Sequence, residues 1–127
     1  MIAAQYALIA LGGALGAMAR FGVSSWINDR ASSSFPWGTF AVNLLGSILF
    51  GVIFVLVFSS VQQREALRLF ALVGFMGAFT TFSTFSFETI RLIESGQPGL
   101  ALTNVLASVF TCVVGAWVGM GAARYLT

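Results

Sequence analysis

Four long apolar runs, separated by short polar stretches, organise this chain. The runs cover residues 2–27, 39–59, 66–94 and 99–126, and each reaches the roughly 20 residues that a helix needs to cross the hydrocarbon core. A polar turn at 28–34, a loop at 60–65 and the breakers Gly96 and Pro98 separate them. The pattern predicts an all-α membrane protein with four transmembrane helices. Both termini then lie on one side, and residues 1–127 form a single domain.

The composition agrees with a membrane environment. Of the 127 residues, 58% are hydrophobic and 8% are charged, whereas soluble domains carry about 25% charged residues. The basic residues are all Arg and form no cluster, which argues against nucleic-acid binding. The nucleotide signature G-x-x-x-x-G-K-S/T does not occur. With no His and one cysteine, a zinc or redox-metal site is not expected. The first basic residue is Arg20, which argues against a cleavable signal peptide.

The basic residues are divided evenly between the two sides of the predicted helices. Three lie toward the side of the termini and three toward the opposite side: Arg64, Arg68 and Arg124 against Arg20, Arg30 and Arg91. Orientation normally follows an excess of Lys and Arg on the cytoplasmic side. Without a bias, the chain is expected to insert both ways up, and copies of opposite orientation can pair about an axis in the membrane plane.

The third run contains a cluster of residues that disfavour a continuous helix. Gly74 and Gly77 precede five closely spaced hydroxyl residues: Thr80, Thr81, Ser83, Thr84 and Ser86. Glycine and threonine both weaken a helix, and hydroxyls offer the backbone competing hydrogen bonds. The sequence predicts a break at about residues 77–81. Such backbone is tolerated at membrane depth only where protein buries it or a watery cavity meets it, and its carbonyls are ready ligands for a hard cation.

Neutral donors and aromatic rings surround this predicted break. Phe79, Phe82 and Phe85 recur every three residues and share one helix face, while Asn43 is the only amide in the second run. A phenyl ring carries a positive rim, so ring edges, hydroxyls and an amide can pass an anion without holding it too tightly to leave. Two alternatives stay open: the Phe residues form a packing stripe, and the hydroxyls bond their own helix carbonyls.

Two charged residues and several polar ones complete the candidates. Glu88 and Arg20 lie inside or near the apolar runs. A charged side chain is costly in lipid, so each is a candidate for a functional role. A mutual ion pair, or snorkelling at the helix ends, would explain both without a direct role. Cys112 fits a small buried hydrophobe. The other polar positions of the fourth run are Asn104, Ser108 and Thr111.

Three segments of the chain resemble the Fluc/CrcB family of fluoride channels. They are GGALGAMARF at 12–21, WGTFAVNLLG at 37–46 and GFMGAFTTFSTFS at 74–86, the last followed by Glu88. Their order on a four-span chain of this size makes the resemblance specific. It implies an antiparallel, dual-topology homodimer with two fluoride pathways, each using residues of both subunits.

The resemblance also implies roles for individual residues. Phe82 and Phe85 would meet the anion with their ring edges, and Asn43 would be the pore amide. Ser83, Thr84 and Ser108 match a polar track less securely, and Asn104 and Cys112 receive no role. A structural sodium ion would lie on the two-fold axis, held by main-chain carbonyls at the positions of Gly77 and Thr80.

A channel of this family serves the bacterial plasma membrane. Hydrogen fluoride enters as a neutral acid and ionises in the cytoplasm, and a negative-inside potential drives the anion out with about 2.3 kcal/mol per 100 mV. Passive export needs neither an enzyme nor nucleotide. Two alternatives stay open. A proton-coupled exporter of cationic drugs would want a carboxylate in the first run, which has none before Asp29. A scaffold subunit would leave the hydroxyls near Asn43 unexplained.

Overall fold

A computed structural model describes residues 1–59 and 64–127, and these residues form helices joined by short turns. Four segments are long and apolar enough to cross a membrane: Ile2–Asn28, Trp37–Phe58, Glu65–Glu94 and Pro98–Leu126. They confirm the four predicted runs, with ends displaced by no more than two residues. The predicted loop at 60–65 lies largely outside the described residues.

The first, second and fourth segments are single helices, α1 (Ile2–Asn28), α2 (Trp37–Phe58) and α6 (Pro98–Leu126). The amide oxygen of Asn28 accepts a hydrogen bond from the Gly38 N–H at 2.9 Å. This bond ties the end of α1 to the first turn of α2, where backbone N–H groups lack partners within the helix.

The third segment is built from several pieces. A short α3 (Glu65–Leu67) leads into a π-helix (Arg68–Met76), followed by α4 (Gly77–Phe79) and α5 (Phe82–Glu94). The Gly77 N–H reaches the carbonyl of Leu72, five residues back, as a π-helix requires. Between α4 and α5 the backbone is extended, with φ −85° and ψ 157° at Thr80 and φ −151° and ψ 114° at Thr81.

Glycines bring α1 into direct contact with the π-helix. A Cβ atom added to Gly12 would lie 2.1 Å from the carbonyl oxygen of Phe70, and one added to Gly16 would lie 2.2 Å from that of Phe75. No side chain fits there, so the two backbones touch. Close backbone approach increases the van der Waals packing that helps helices associate in lipid, where water does not drive apolar surfaces together.

The same device joins α2 to α6. A Cβ atom on Gly51 would lie 2.3 Å from the Ala116 carbonyl oxygen, and one on Gly119 would lie 2.2 Å from that of Ile48. Helix α1 therefore packs on the π-helix, and helix α6 packs on α2. The extended residue Thr81, between α4 and α5, is hydrogen-bonded to Asn43 of α2.

The buried core is small and the apolar surface is large. Val42, Met76 and Phe79 form the core cluster, whereas many large apolar side chains point outward, including Phe110 and Trp117 at 70% and 72% exposure. A soluble monomer rarely exposes so much contiguous apolar surface. The surface fits lipid or a further protein chain as its neighbour.

Candidate functional site

A groove of about 470 Å³ opens between α2, α6 and the break in the third segment. Four of the residues predicted for an anion pathway line it, namely Asn43, Phe82, Phe85 and Ser108. Thr80 and Thr81 of the break, and Cys112 on α6, line it as well. The residues that line the groove carry no formal charge, so its polarity comes from hydroxyls, an amide and backbone groups.

The side-chain amide of Asn43 pairs with both backbone polar groups of the extended residue Thr81. Its Nδ2 donates to the Thr81 carbonyl oxygen at 2.9 Å, and its Oδ1 accepts from the Thr81 N–H at 2.7 Å. The pair of bonds reproduces what a neighbouring β-strand would offer to an extended residue. Sequence reasoning missed this role, since it treated the amide only as a donor to an anion. A side-chain amide has a second N–H, which bonds nothing else within residues 1–59 and 64–127.

Thr81 also starts the helix that follows. Its Oγ1 accepts from the Thr84 N–H at 3.2 Å, as an N-cap residue does, and donates to Thr84 Oγ1 at 3.0 Å. Ser83 Oγ lies 3.4 Å from Thr81 Oγ1. The structure thus gathers Ser83 and Thr84 around Thr81 at the start of α5, and they are not among the residues that line the groove.

The break leaves the carbonyl groups of residues 77–80 without their helical donors, and those of Gly77 and Thr80 are among them. In a continuous α-helix the Gly77 carbonyl would accept from the Thr81 N–H, and the Thr80 carbonyl from the Thr84 N–H. The first N–H bonds Asn43 instead and the second bonds the Thr81 hydroxyl. Gly77 is exposed and Thr80 is half-buried. Among the described residues, no three His, Cys, Asp or Glu side chains come together as metal ligands.

The three Phe residues of the stripe have different surroundings. Phe79 is 3% exposed and stacks on Phe75 with ring centroids 5.9 Å apart, so the packing alternative describes it. Phe82 and Phe85 have centroids 5.5 Å apart and planes inclined by 47°. Phe85 is 8% exposed and Phe82 is 77% exposed. One ring is thus held against the protein and the other faces outward.

Glu88 has a neutral partner. Its Oε1 accepts from Thr39 Oγ1 at 2.9 Å, and Thr39 is buried. Within residues 1–59 and 64–127 the Glu88 carboxylate makes no ion pair with Arg20, so the first of the two alternatives is not realised there, and its Oε2 is buried without a hydrogen bond. Glu88 and Arg91 line a second groove of about 430 Å³ near the end of α1. The sequence pattern did not indicate that Thr39 bonds Glu88, because a single threonine in an apolar run does not point to a particular partner.

The chain is similar along most of its length to proteins of one known family. A family model described as CrcB-like protein, camphor resistance (CrcB), matches residues 7–120. The chain is 48% identical over 122 residues to the fluoride-specific ion channel FluC of Magnetococcus marinus, covering 96% of this chain and 99% of that protein. The proteins of the same name in Geobacter sulfurreducens and Geotalea daltonii are 47% and 46% identical over 118 residues, covering 93% of this chain and 95% of each protein. Because the match covers nearly its whole length, the chain belongs to the CrcB family.

Proposed function

We propose that this chain forms a fluoride-selective channel that lets cytoplasmic fluoride leave passively, down its electrochemical gradient. The observation that carries the proposal is the uncharged groove in which Asn43, Phe82, Phe85 and Ser108 meet. Fluoride is the proposed anion because the relatives are named fluoride-specific ion channels. A bacterial plasma membrane is the setting in which the membrane potential drives such export.

Neutral groups suit an anion that must be bound and released quickly. A fixed positive charge at low dielectric would hold fluoride strongly, and conduction requires sites that are favourable to enter yet weak enough to leave. The ring edges of Phe82 and Phe85 offer partial positive charge. The second N–H of Asn43 offers a hydrogen bond while the first stays on Thr81.

An antiparallel pair of chains would complete each pathway. Phe82 is 77% exposed at one edge of the groove, an unusual position for a residue that contacts a desolvated anion. A second copy lying against this face would cover the ring and enclose the groove. Because the Arg residues are evenly divided between the two sides, both orientations are available to form such a homodimer, which would contain two pathways.

The same pairing would create a sodium site. If the extended residues Thr80 and Thr81 lie at mid-membrane, the carbonyls of Gly77 and Thr80 from two copies supply four neutral oxygens on the two-fold axis. Their helical donors are engaged elsewhere, which leaves these carbonyls free to act as ligands of the kind that hard cations prefer. Neutral carbonyls suit a monovalent ion, because a dehydrated divalent ion would require compensating negative charge. The sodium ion would be structural and would not be transported.

Efflux from liposomes tests the proposal. Purified protein is reconstituted into vesicles loaded with potassium fluoride, and valinomycin supplies the counter-ion path while an electrode records external fluoride. We expect rapid fluoride release and much slower chloride release. No release beyond that of protein-free vesicles would contradict the channel. Proton-coupled uptake of a cationic dye, with no fluoride release, would instead identify a cation exporter.

A further inference from the structure

A chain of hydrogen bonds joins α6 to α5 beside the groove. Ser108 Oγ donates to Asn104 Oδ1 at 3.3 Å, and Asn104 Nδ2 donates to Thr89 Oγ1 at 3.0 Å. Thr89 Oγ1 donates in turn to the Phe85 carbonyl oxygen at 2.8 Å. The end members, Ser108 and Phe85, line the groove, whereas Asn104 is 1% exposed and lies behind it. We call these four residues the Asn104 relay.

The chemistry of its members determines the direction of every bond in the relay. A carbonyl can only accept, so the Thr89 proton is committed to Phe85 and the Thr89 oxygen must accept from its other neighbour. Asn104 therefore turns its NH2 group toward Thr89 and its oxygen toward Ser108. Since an amide oxygen also only accepts, the Ser108 proton points at Asn104, and the two lone pairs of the Ser108 oxygen are left for the groove.

We propose that Asn104 is a positioning residue of the anion pathway. Through Thr89 it holds the backbone of Phe85, and through its own oxygen it turns the Ser108 proton away from the groove. The inference rests on the proposed function, because it concerns the same groove. Toward the groove Ser108 is then an acceptor, so its hydroxyl does not donate to the anion.

Burial makes the relay sensitive to substitution. Asn104 is almost completely excluded from solvent, so no outside molecule replaces a lost partner. Leucine has a similar volume and needs no hydrogen bond, so Asn104→Leu is expected to preserve the packing of α5 on α6. What it removes is the fixed placement of Phe85 and the orientation of the Ser108 hydroxyl.

Unitary fluoride currents in planar bilayers test the placement of Phe85, because they report conduction per channel regardless of how many channels fold. Thr89→Val removes the hydroxyl with little change of shape, and Thr89→Ser keeps it. We expect Thr89→Val and Asn104→Leu each to lower the unitary current about tenfold, and Thr89→Ser to retain most of it. The double variant should be no worse than the worse single variant, since both changes break one relay.

Thr103→Val is the matched control. Thr103 precedes Asn104 on α6 and is exposed, and its hydroxyl bonds only its own helix, at the Gly99 carbonyl 3.0 Å away. We expect its unitary current to equal that of the unmodified chain. Equal currents in Thr89→Val, Thr89→Ser and the unmodified chain would overturn the relay, as would losses in the double variant that multiply.

The half-saturating fluoride concentration tests the orientation of Ser108. In Asn104→Leu the Ser108 proton no longer bonds the side chain at position 104 and is free to turn to fluoride. A hydrogen bond to an anion is stronger than one to a neutral carbonyl oxygen. We expect that concentration to fall severalfold, and Ser108→Ala in the same background to cancel the fall. An unchanged or higher value in Asn104→Leu would overturn this part. If the unmodified chain carries no fluoride current, the proposed function fails instead, so the two failures are distinguishable.

Discussion

Replacing Asn43 by Leu would remove the clamp on the broken segment. The change keeps the volume of the side chain and deletes both hydrogen bonds to Thr81, of 2.9 and 2.7 Å. Because Thr81 is 7% exposed, water has little access to its freed N–H and carbonyl groups. Each buried backbone group left without a partner costs about 1–3 kcal/mol. The expected loss is therefore about 2–6 kcal/mol of folding free energy per chain, with the lower end favoured if the groove admits water.

The assay compares Asn43→Leu with Ser47→Ala. Ser47 lies one turn further along α2 and lines the same groove, and its hydroxyl has no hydrogen bond to the described residues. Unfolding in a fixed detergent, followed by tryptophan fluorescence against denaturant, should give a midpoint clearly lower for Asn43→Leu and unchanged for Ser47→Ala. Fluoride efflux is measured on the same preparations.

The two measurements separate the clamp from an anion ligand. If Asn43→Leu abolishes efflux while its unfolding midpoint matches that of the unmodified chain, the amide acts on the anion alone and the clamp reasoning is refuted. If both fall, the clamp is supported. If neither the unfolding midpoint nor the efflux changes, Asn43 contributes neither to conduction nor to stability.

Four further predictions follow from the same geometry. Phe82→Ile or Phe85→Ile should keep the chain folded and lower fluoride efflux severely, since an aliphatic group has no positive rim. Full efflux from a folded variant with both changes would show that the two rings serve packing only. Reporter fusions at the C-terminus should label both sides of the membrane in comparable amounts, because the Arg residues are balanced; one dominant orientation would contradict dual topology. Prolonged exchange of sodium for a large organic cation should lower the thermal stability of the dimer, while unchanged stability and efflux would exclude a structural ion at the Gly77 carbonyls. A small methanethiosulfonate reagent should slow efflux by modifying Cys112, which lines the groove and is the single cysteine, and Cys112→Ala should be resistant; equal inhibition of both would show that the reagent acts elsewhere.

The sequence alone was enough to predict the four helical segments and their ends. Length and hydropathy are local properties, and a bilayer-sized apolar run in a chain with 8% charged residues has few other structures open to it. The antiparallel pairing and the sodium ion remain predictions, since they depend on a second chain.

The hydrogen-bond partners were decided only by the tertiary structure. Asn43 bonds Thr81 across 38 positions, Thr39 bonds Glu88 across 49, and Asn104 bonds Thr89 across 15. Each link joins residues of two different long segments, and which faces meet depends on the packing of all four segments rather than on local pattern. For this reason the polar residues of the groove were identifiable from the sequence, whereas the backbone that Asn43 supports became visible only in the fold.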